Sequence, residues 1–549
     1  KNSENIFQLG QKDHSPIFLI PQALYGREKE VSLILEAFDR VSQGSIELIM
    51  VSGFSGTGKS SLVHEVHLPL TEKRGLYISG KFDQYQTGVP FHAWSVAFEG
   101  FVSLLLKEDE SSLERWKKNI QSAVGNIGQV ISDVVPSIEL IIGKQPDIPR
   151  LTGEQALNRF NYVFRAFVKS ISKKEHPLVV FIDDWQWADA ASLNLLNFLM
   201  SDKDNAYLLI IGAYRDNEVD STHSFRLTLD DIERSKANVS TIQLRNLTKK
   251  DVFSLVSDAL RNPPAIDSLV NLIYEKTQGN AFFLVQFLRN LYNESLIHFD
   301  TVSDCWLWDQ AEVESKDITD NVVQLMANKI QQLPYDTQET LKFAACIGSR
   351  FDLSTLAIIQ NKNTRETASR LEKALQKGII KPLDLNYRFA NIEIGKANVT
   401  YQFIHDRVQQ AAYSLIIQKK RGIVHVNIAD TMIDKLNSSD KEKRIFDIVN
   451  HYNAGKNEVT TALQKERVAS LNISAGKKAK STTAYTLALH YFKSALELLD
   501  NTEWQTQYQQ TAELYLIASE VAFLSKQYDQ MELWIEIYLK KVKTPLEKS

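Results

Sequence analysis

Cysteine is scarce in this 549-residue chain. Cys305 and Cys346 lie far apart, so no disulfide framework is expected and a reducing compartment, the cytoplasm, is. No apolar run approaches the roughly 18 residues that a membrane-spanning helix needs, and no signal peptide opens the sequence. An excess of either charge is also missing, since 63 Lys and Arg against 67 Asp and Glu leave a net charge of −4. That balance gives no electrostatic footprint for nucleic acid or an anionic membrane surface. A starting methionine is lacking too, and Lys1 raises the expectation of a fragment of a longer chain. What is present is ordinary globular composition, 44% hydrophobic and 24% charged. At about 150 residues per domain, the length predicts three or four domains.

The most informative stretch is residues 47–61, ELIMVSGFSGTGKSS. A short aliphatic run predicts a buried strand, then Gly53, Gly56 and Gly58 precede Lys59, Ser60 and Ser61, and a helical pattern follows from Leu62. This is G-x-x-x-x-G-K-S after a strand and at the start of a helix, the placement a phosphate-binding loop requires. The glycines let successive backbone N–H groups face a polyphosphate, and the helix N-terminus adds partial positive charge. Across Gly53, Ser55, Gly56, Thr57, Gly58, Lys59, Ser60 and Ser61, the loop is expected to bind ATP or ADP. Lys59 would reach the β- and γ-phosphates, and the Ser60 hydroxyl would join the Mg²⁺ shell.

Further strands are expected at residues 75–79, 177–182 and 206–214, alternating with helices, so residues 21–247 read as a doubly wound parallel α/β domain. Residues 91–168 are mostly helical in pattern and form an insertion, which the roughly 120 residues between Lys59 and Asp183 require. Residues 1–20 read as a tail. From Thr248, a plausible N-cap ahead of Asp251, strand signals stop, and residues 248–316 are expected to be all helical. Residues 317–418 show three helices and a two-strand hairpin, the order of a winged helix. Residues 419–549 read as helical repeats of tetratricopeptide (TPR) type. Ala484, Ala488, Tyr491 and Ala495 fall on one helix face, and residues 515–524 and 528–538 form a helix pair around a turn at 525–527. The fold class is therefore multidomain, α/β followed by α.

Asp183 and Asp184 close an apolar strand, opposite the loop in such a domain. Asp183 is the candidate Mg²⁺ carboxylate, and Asp184 the candidate that orients or deprotonates the attacking water. Arg215 ends the strand expected beside them and could sense a γ-phosphate; an ion pair with Asp216 or Glu218 is the alternative. Trp185 and Trp187 read as packing residues.

With those residues placed, FIDDWQWADAASL at 181–193 closely resembles the DDLQWAD signature of STAND-class signalling ATPases, an AAA+-related group. LYGRE, GKFDQ, IIGKQP, GAYRDNEV, TDNVVQLM, AACIG and FIHDRVQQAAYSLI follow in order, and together they resemble the ATPase module of large bacterial hybrid serine/threonine kinase–sensor histidine kinases. The resemblance implies that Tyr25, Gly26 and Arg27 lie near the adenine, and that His405 contacts the ADP β-phosphate from a winged helix. It also implies flanking kinase, GAF and histidine-kinase domains, or a protein partner on the helical repeats, and is compatible with a homo-oligomer. Arg27 and Arg159 are undiscriminated candidates for an arginine that completes a neighbouring site. One departure stands out: Ala281 replaces the proline of G-N-P-F-F, which puts base packing by the helical domain in question.

The function expected is a slow, Mg²⁺-dependent ATPase switch in which ADP locks the domains together and ATP opens them. Two alternatives remain: a winged-helix DNA-binding regulator, disfavoured by the mixed charge of residues 338–375, and a P-loop kinase of small molecules.

Overall fold

The computed structural model describes residues 18–21, 23–84, 88–149, 151, 153–202, 204–261, 263–315, 322–383, 387, 399–499, 504 and 507–542. Most of the expected tail over 1–20, and the start of the third expected domain at 317–321, lie outside the described residues.

The aliphatic runs form β1 Ile46–Ser52, β2 Leu76–Lys81, β3 Leu178–Asp183 and β4 Leu208–Tyr214, joined by β5 Asn238–Gln243. All neighbours are parallel, in the order β2-β3-β4-β1-β5. Every residue of β3 and β4 is buried, as strands covered on both faces should be. Alternate side chains divide between two layers. Ile49, Val51, Leu209 and Ile211 pack on α1 (Glu28–Val41) and α2 (Lys59–Glu72). Leu48, Met50, Leu208 and Ile210 pack on α3 (His92–Leu105) and the helical insertion. The fifth strand is an addition to the sequence reading. It is an edge strand whose Asn238, Ser240, Thr241 and Gln243 leave little apolar signal.

The strand order positions the chemistry. Because β4 lies between β1 and β3, the loop after β1 and the acids after β3 are about 10 Å apart at the usual strand spacing, with the end of β4 between them.

Helices Lys249–Leu260, Ile266–Thr277 and Ala281–Asn293 follow, and Thr248 caps the first in a reciprocal capping box with Asp251. The all-helical expectation for 248–316 is corrected by the antiparallel hairpin of β6 Ile297–Asp300 and β7 Cys305–Trp308. Strands of four residues are too short for their alternation to register. A second correction concerns the next segment, where the expected two-strand hairpin is a three-stranded antiparallel sheet. Its strands β8 Arg350–Asp352, β9 Ile380–Pro382 and β10 Thr400–Phe403 run in the order β8-β10-β9. Only Phe351 marks β8 as apolar. Helices Tyr335–Ile347, Thr364–Gln376 and Asp406–Ser414 surround this sheet.

Helices from Gln418–Lys435 to Tyr528–Lys541 make up the rest, with Ala488, Tyr491 and Ala495 fully buried between them. This array packs back on the first domain. The Tyr491 hydroxyl lies within bonding reach of the Gly88 carbonyl and 2.9 Å from Asn450 Oδ1, and the Tyr485 hydroxyl donates to the Gly153 carbonyl at 2.9 Å. Where helix Asp406–Ser414 meets the array, Tyr413 Oη is 3.0 Å from His425 Nε2, and His425 Nδ1 is 2.8 Å from His451 Nδ1.

Burial pushes His425 down to about 4, with Arg421 adding to the effect, and burial pushes His451 down to about 3 with His425 adding. Unfolded, both rings take up a proton near 6.5; folded, they resist it. The stability they permit is therefore present above that pH and is lost as pH falls toward 4. Thermal unfolding should show a stability that declines by up to about 1.4 kcal/mol per pH unit for each ring across this window. His451→Leu should flatten the decline, and an unchanged slope in that variant would contradict the assignment.

Candidate functional site

The loop between β1 and α2 curls tightly, with Gly53, Gly56 and Gly58 all at positive φ. Gly58 stands at the N-cap of α2 without a side-chain cap, and a Cβ placed there would meet nothing within 4 Å. With no side-chain cap, the first N–H groups of α2 are left for another acceptor, as at an anion-binding helix start. Lys59 is buried, and its Nζ donates to the carbonyls of Gly53 at 2.7 Å and Phe54 at 2.9 Å. Burial pushes the ammonium down while Asp183 and Asp184 pull it back up. The Thr57 hydroxyl donates to the Phe54 carbonyl at 2.9 Å, Ser55 Oγ is buried with no partner, and Ser61 is exposed on α2.

Across the sheet edge, the Ser60 hydroxyl donates to Asp183 Oδ2 at 2.6 Å, so the structure brings together the two residues expected at a magnesium ion. Asp183 Oδ1 accepts the Asp184 N–H at 2.9 Å. Asp184 sits in the left-handed region at φ 59°. This strained turn aims its carboxylate back at the site.

Three carboxylates and two cations meet here. The Lys81 ammonium lies 2.6 Å from Asp184 Oδ2, 2.8 Å from Asp406 Oδ1 and 3.9 Å from Asp183 Oδ2. Its contact with Asp184 is one of distance alone, because Asp184 Oδ2 lacks a partner in hydrogen-bond direction. Arg215 holds Glu218 at 2.9 Å, Asp184 at 3.5 Å and, more closely, Asp406 Oδ2, with its guanidinium 4.7 Å above the Trp187 ring. The ion pair expected as an alternative for Arg215 is thus present with Glu218. Two further carboxylates share the same guanidinium.

Burial favours neutral Lys81, but Asp184, Asp406 and Asp183 outweigh it and hold the ammonium charged. Burial pushes Asp184 up to about 7, and the neighbouring Asp406 and Asp183 charges reinforce it against Lys81 and Arg215. Asp406 is buried as well, yet Lys81 and Arg215 keep it ionised below the usual carboxylate range.

His405 caps helix Asp406–Ser414, its Nδ1 accepting the Arg407 N–H at 3.1 Å, which leaves the ring proton on Nε2. Burial, then the nearby Lys81, Arg215 and Arg407 charges, push the ring down to about 4 against Asp406, so it is a neutral donor. It packs on Phe282 with centroids 4.2 Å apart. Phe282 in turn donates its N–H to the Gly56 carbonyl at 3.0 Å, and Asn280 Nδ2 donates to the Ser55 carbonyl at 2.9 Å. The GNAFF segment thus grips the phosphate loop itself. Tyr25, Gly26 and Arg27 form a joint beside it. The Tyr25 hydroxyl donates to Asp258 at 2.8 Å, Gly26 lies against Asp251, and buried Arg27 reaches the carbonyls of Arg245 and Thr57. Arg159 is engaged elsewhere, donating to the Pro149 carbonyl at 2.6 Å. Sequence reasoning missed Lys81 and Asp406 as site residues, although both stood inside quoted motifs, GKFDQ and FIHDRV.

The donor set fits a magnesium nucleotide. A serine hydroxyl and one carboxylate are the hard oxygens such an ion takes. Among the described residues no group of three or more His, Cys, Asp or Glu could hold a metal alone, so phosphate oxygens and water would complete the shell.

Residues 23–211 match the AAA ATPase domain family. The chain is similar to Hybrid signal transduction histidine kinase G of Dictyostelium discoideum, 29% identical over 649 aligned residues that cover 98% of this chain and 19% of that protein. It is also similar to Histidine protein kinase 1 of Candida albicans, 21% identical over 612 residues, covering 96% of this chain and 24% of the other. The chain thus spans about a fifth to a quarter of the length of these relatives. A Pyrococcus horikoshii Signal Transduction ATPase with Numerous Domains (STAND) protein with a tetratricopeptide repeat sensor resembles it in structure, with a TM-score of 0.43 and 13% identity. That likeness covers 95% of this chain and 65% of the other. Among the described residues no helix is long and apolar enough to cross a membrane.

The grip of Asn280 on the loop is testable. Gly56 has φ 84°, and a Cβ there would lie 2.5 Å from Asn280 Oδ1 and 3.1 Å from Phe282 Cβ. Gly56→Ala should destabilise the protein by about 1–3 kcal/mol in denaturant unfolding. Adding Asn280→Ala should restore part of that loss; strictly additive effects would show that the two do not meet.

Proposed function

Taking residues 23–211 as an AAA ATPase domain, we propose that the chain is a nucleotide-controlled switch that binds ATP and ADP with Mg²⁺, hydrolyses ATP slowly and repositions its third domain according to the nucleotide held. On this reading residues 21–247 bind nucleotide, 248–316 form a helical domain with a short hairpin, 317–418 a winged helix and 419–549 a sensing array of TPR-like repeats. The observation that carries it is the sharing of Asp406. This carboxylate of the third domain is held by Lys81 and Arg215 of the first, the same cations that flank Asp183 and Asp184.

A terminal phosphate is a stronger claimant for those cations than one carboxylate. ATP therefore competes with Asp406, whereas ADP, lacking the γ-phosphate, leaves the latch closed. Differential affinity of this kind is what a ligand needs to shift a conformational equilibrium. Lys59 would exchange the Gly53 and Phe54 carbonyls for β- and γ-phosphate oxygens. Ser60 and Asp183 would hold the magnesium ion, which supplies charge neutralisation on the phosphates. Asp184, poised near neutrality, would accept the proton of the attacking water, and neutral His405 would donate Nε2–H to a β-phosphate oxygen in the closed form. Tyr25, Gly26 and Arg27 would border the base.

The output would pass to kinase domains in the same polypeptide: a histidine kinase, as the names of the relatives suggest, and a serine/threonine kinase, as the motif resemblance implies. A cytoplasmic location suits that role, and self-association is compatible with it.

Small-angle scattering should distinguish the ADP form from the form with a non-hydrolysable ATP analogue. Superimposable profiles would end the switch reading. Asp406→Ala should abolish the difference, speed ADP release about tenfold and lower stability by about 3 kcal/mol, since it strips one partner from a buried charge network. His405→Ala should likewise shorten ADP retention, and Lys59→Ala should bind neither nucleotide.

A further inference from the structure

The small sheet of the third domain has a polar outer row. In the β8-β10-β9 register Gln402 lies opposite Arg350 on one side and Lys381 on the other. Directly opposed residues project from the same face of an antiparallel sheet, so these three side chains stand together. Their neighbours Phe351 and Tyr401 project from the other face and are buried in the domain core.

The outer row is turned toward the nucleotide domain. The Ser349 N–H, one residue before Arg350, donates to Asp83 Oδ2 of the loop after β2 at 2.6 Å. Arg350 is close enough to Asp183 to feel its charge, and Lys381 close enough to feel Lys81. Both groups are also pushed down by burial, Arg350 against the pull of Asp183. Yet Arg350 Nε is buried with no hydrogen-bond partner, and no carboxylate among the described residues pairs with its guanidinium. A half-buried guanidinium whose buried Nε has no partner is costly unless an anion answers it. Lys381 is exposed at the rim of the same row.

We propose that Arg350, assisted by Lys381, is a second phosphate clamp that closes on the terminal phosphate of a bound nucleoside triphosphate from the side opposite the β1–α2 loop. The inference rests on the nucleotide reading above and deepens it. Asp406 and Arg350 belong to one domain and address one site with opposite charge. When a γ-phosphate arrives it displaces the carboxylate from Lys81 and Arg215 and supplies the anion that Arg350 lacks. The third domain then pivots from one contact to the other rather than letting go, and the triphosphate form is held on three sides.

Titration of the full chain with fluorescent ADP and with a fluorescent non-hydrolysable ATP analogue, both with Mg²⁺, tests this. Arg350→Ala should weaken the triphosphate analogue about tenfold and leave ADP within about twofold. Lys381→Ala, at an exposed position that folding does not depend on, should weaken the analogue about threefold and decides the matter if Arg350→Ala does not fold. Unchanged analogue binding, or equal losses for both nucleotides, would overturn the clamp while the nucleotide reading stands. A wild-type chain that binds neither would overturn both.

Discussion

A lysine ammonium buried among carboxylates from two domains sets the terms for the rest of this molecule. Lys81 stays charged only because Asp184, Asp406 and Asp183 surround it, and Asp406 stays ionised largely because Lys81 and Arg215 hold it. Such a cluster tolerates no member missing, since each charge loses its compensation if a neighbour moves. The third domain therefore has a defined seat on the first. The loop after β2 reinforces that seat: Asp83 accepts the Ser349 N–H at 2.6 Å, and Gln84 Oε1 accepts from Gln410 at 2.8 Å. A few residues on, Gly88 approaches Asn450 and the Tyr491 hydroxyl of the helical array.

The same seat gives a short mechanical path. Helix Asp406–Ser414 carries Asp406 in its first turn, and His405 caps it, while Tyr413 near its other end meets His425. Nine helical residues span about 13 Å, so one rigid element reaches both the cations that flank Asp183 and Asp184 and the junction with the array. Whatever shifts the first turn of this helix shifts Tyr413 as well. On the proposed reading, nucleotide exchange at one end is felt at the buried histidine pair at the other, with no long chain of intermediaries.

Much of the nucleotide domain was legible in the sequence, because its signals are local. The phosphate loop, the acids after β3 and the arginine after β4 each lie at the end of a continuous aliphatic run, and parallel strands buried on both faces leave such runs. The helix pair around residues 525–527 was equally readable from its periodicity and turn. What escaped was either short or tertiary. The strands β6, β7 and β8 are three or four residues long, and β5 is a polar edge. Lys81, Asp406 and Arg350 acquire their roles only from partners far away in sequence, Asp406 lying 325 residues beyond Lys81. No spacing rule connects such residues. Asn280 likewise caps the helix Ala281–Asn293, and only the folded chain shows that its side chain also holds the loop after β1.

The placement of charge in the third domain bears on what that domain can do. A duplex-binding domain of this element order would present a basic helix and sheet edge to solvent. Here several of the cations face the first domain or are paired with acids, while Arg365, Lys373 and Lys377 stay exposed. Arg350 lies close enough to Asp183, and Lys381 close enough to Lys81, to feel their charges. On helix Thr364–Gln376, Arg370 is neutralised by Glu366 at 3.0 Å and Asp336 at 3.3 Å, and Lys362 ahead of it by the same Glu366 at 2.6 Å. With a net charge of −4 over the whole chain, little remains to attract a polyanion the size of a duplex. On the proposed reading the anion that this domain meets is small, the terminal phosphate of a nucleotide, and its place is the cleft where Asp406 holds the same cations.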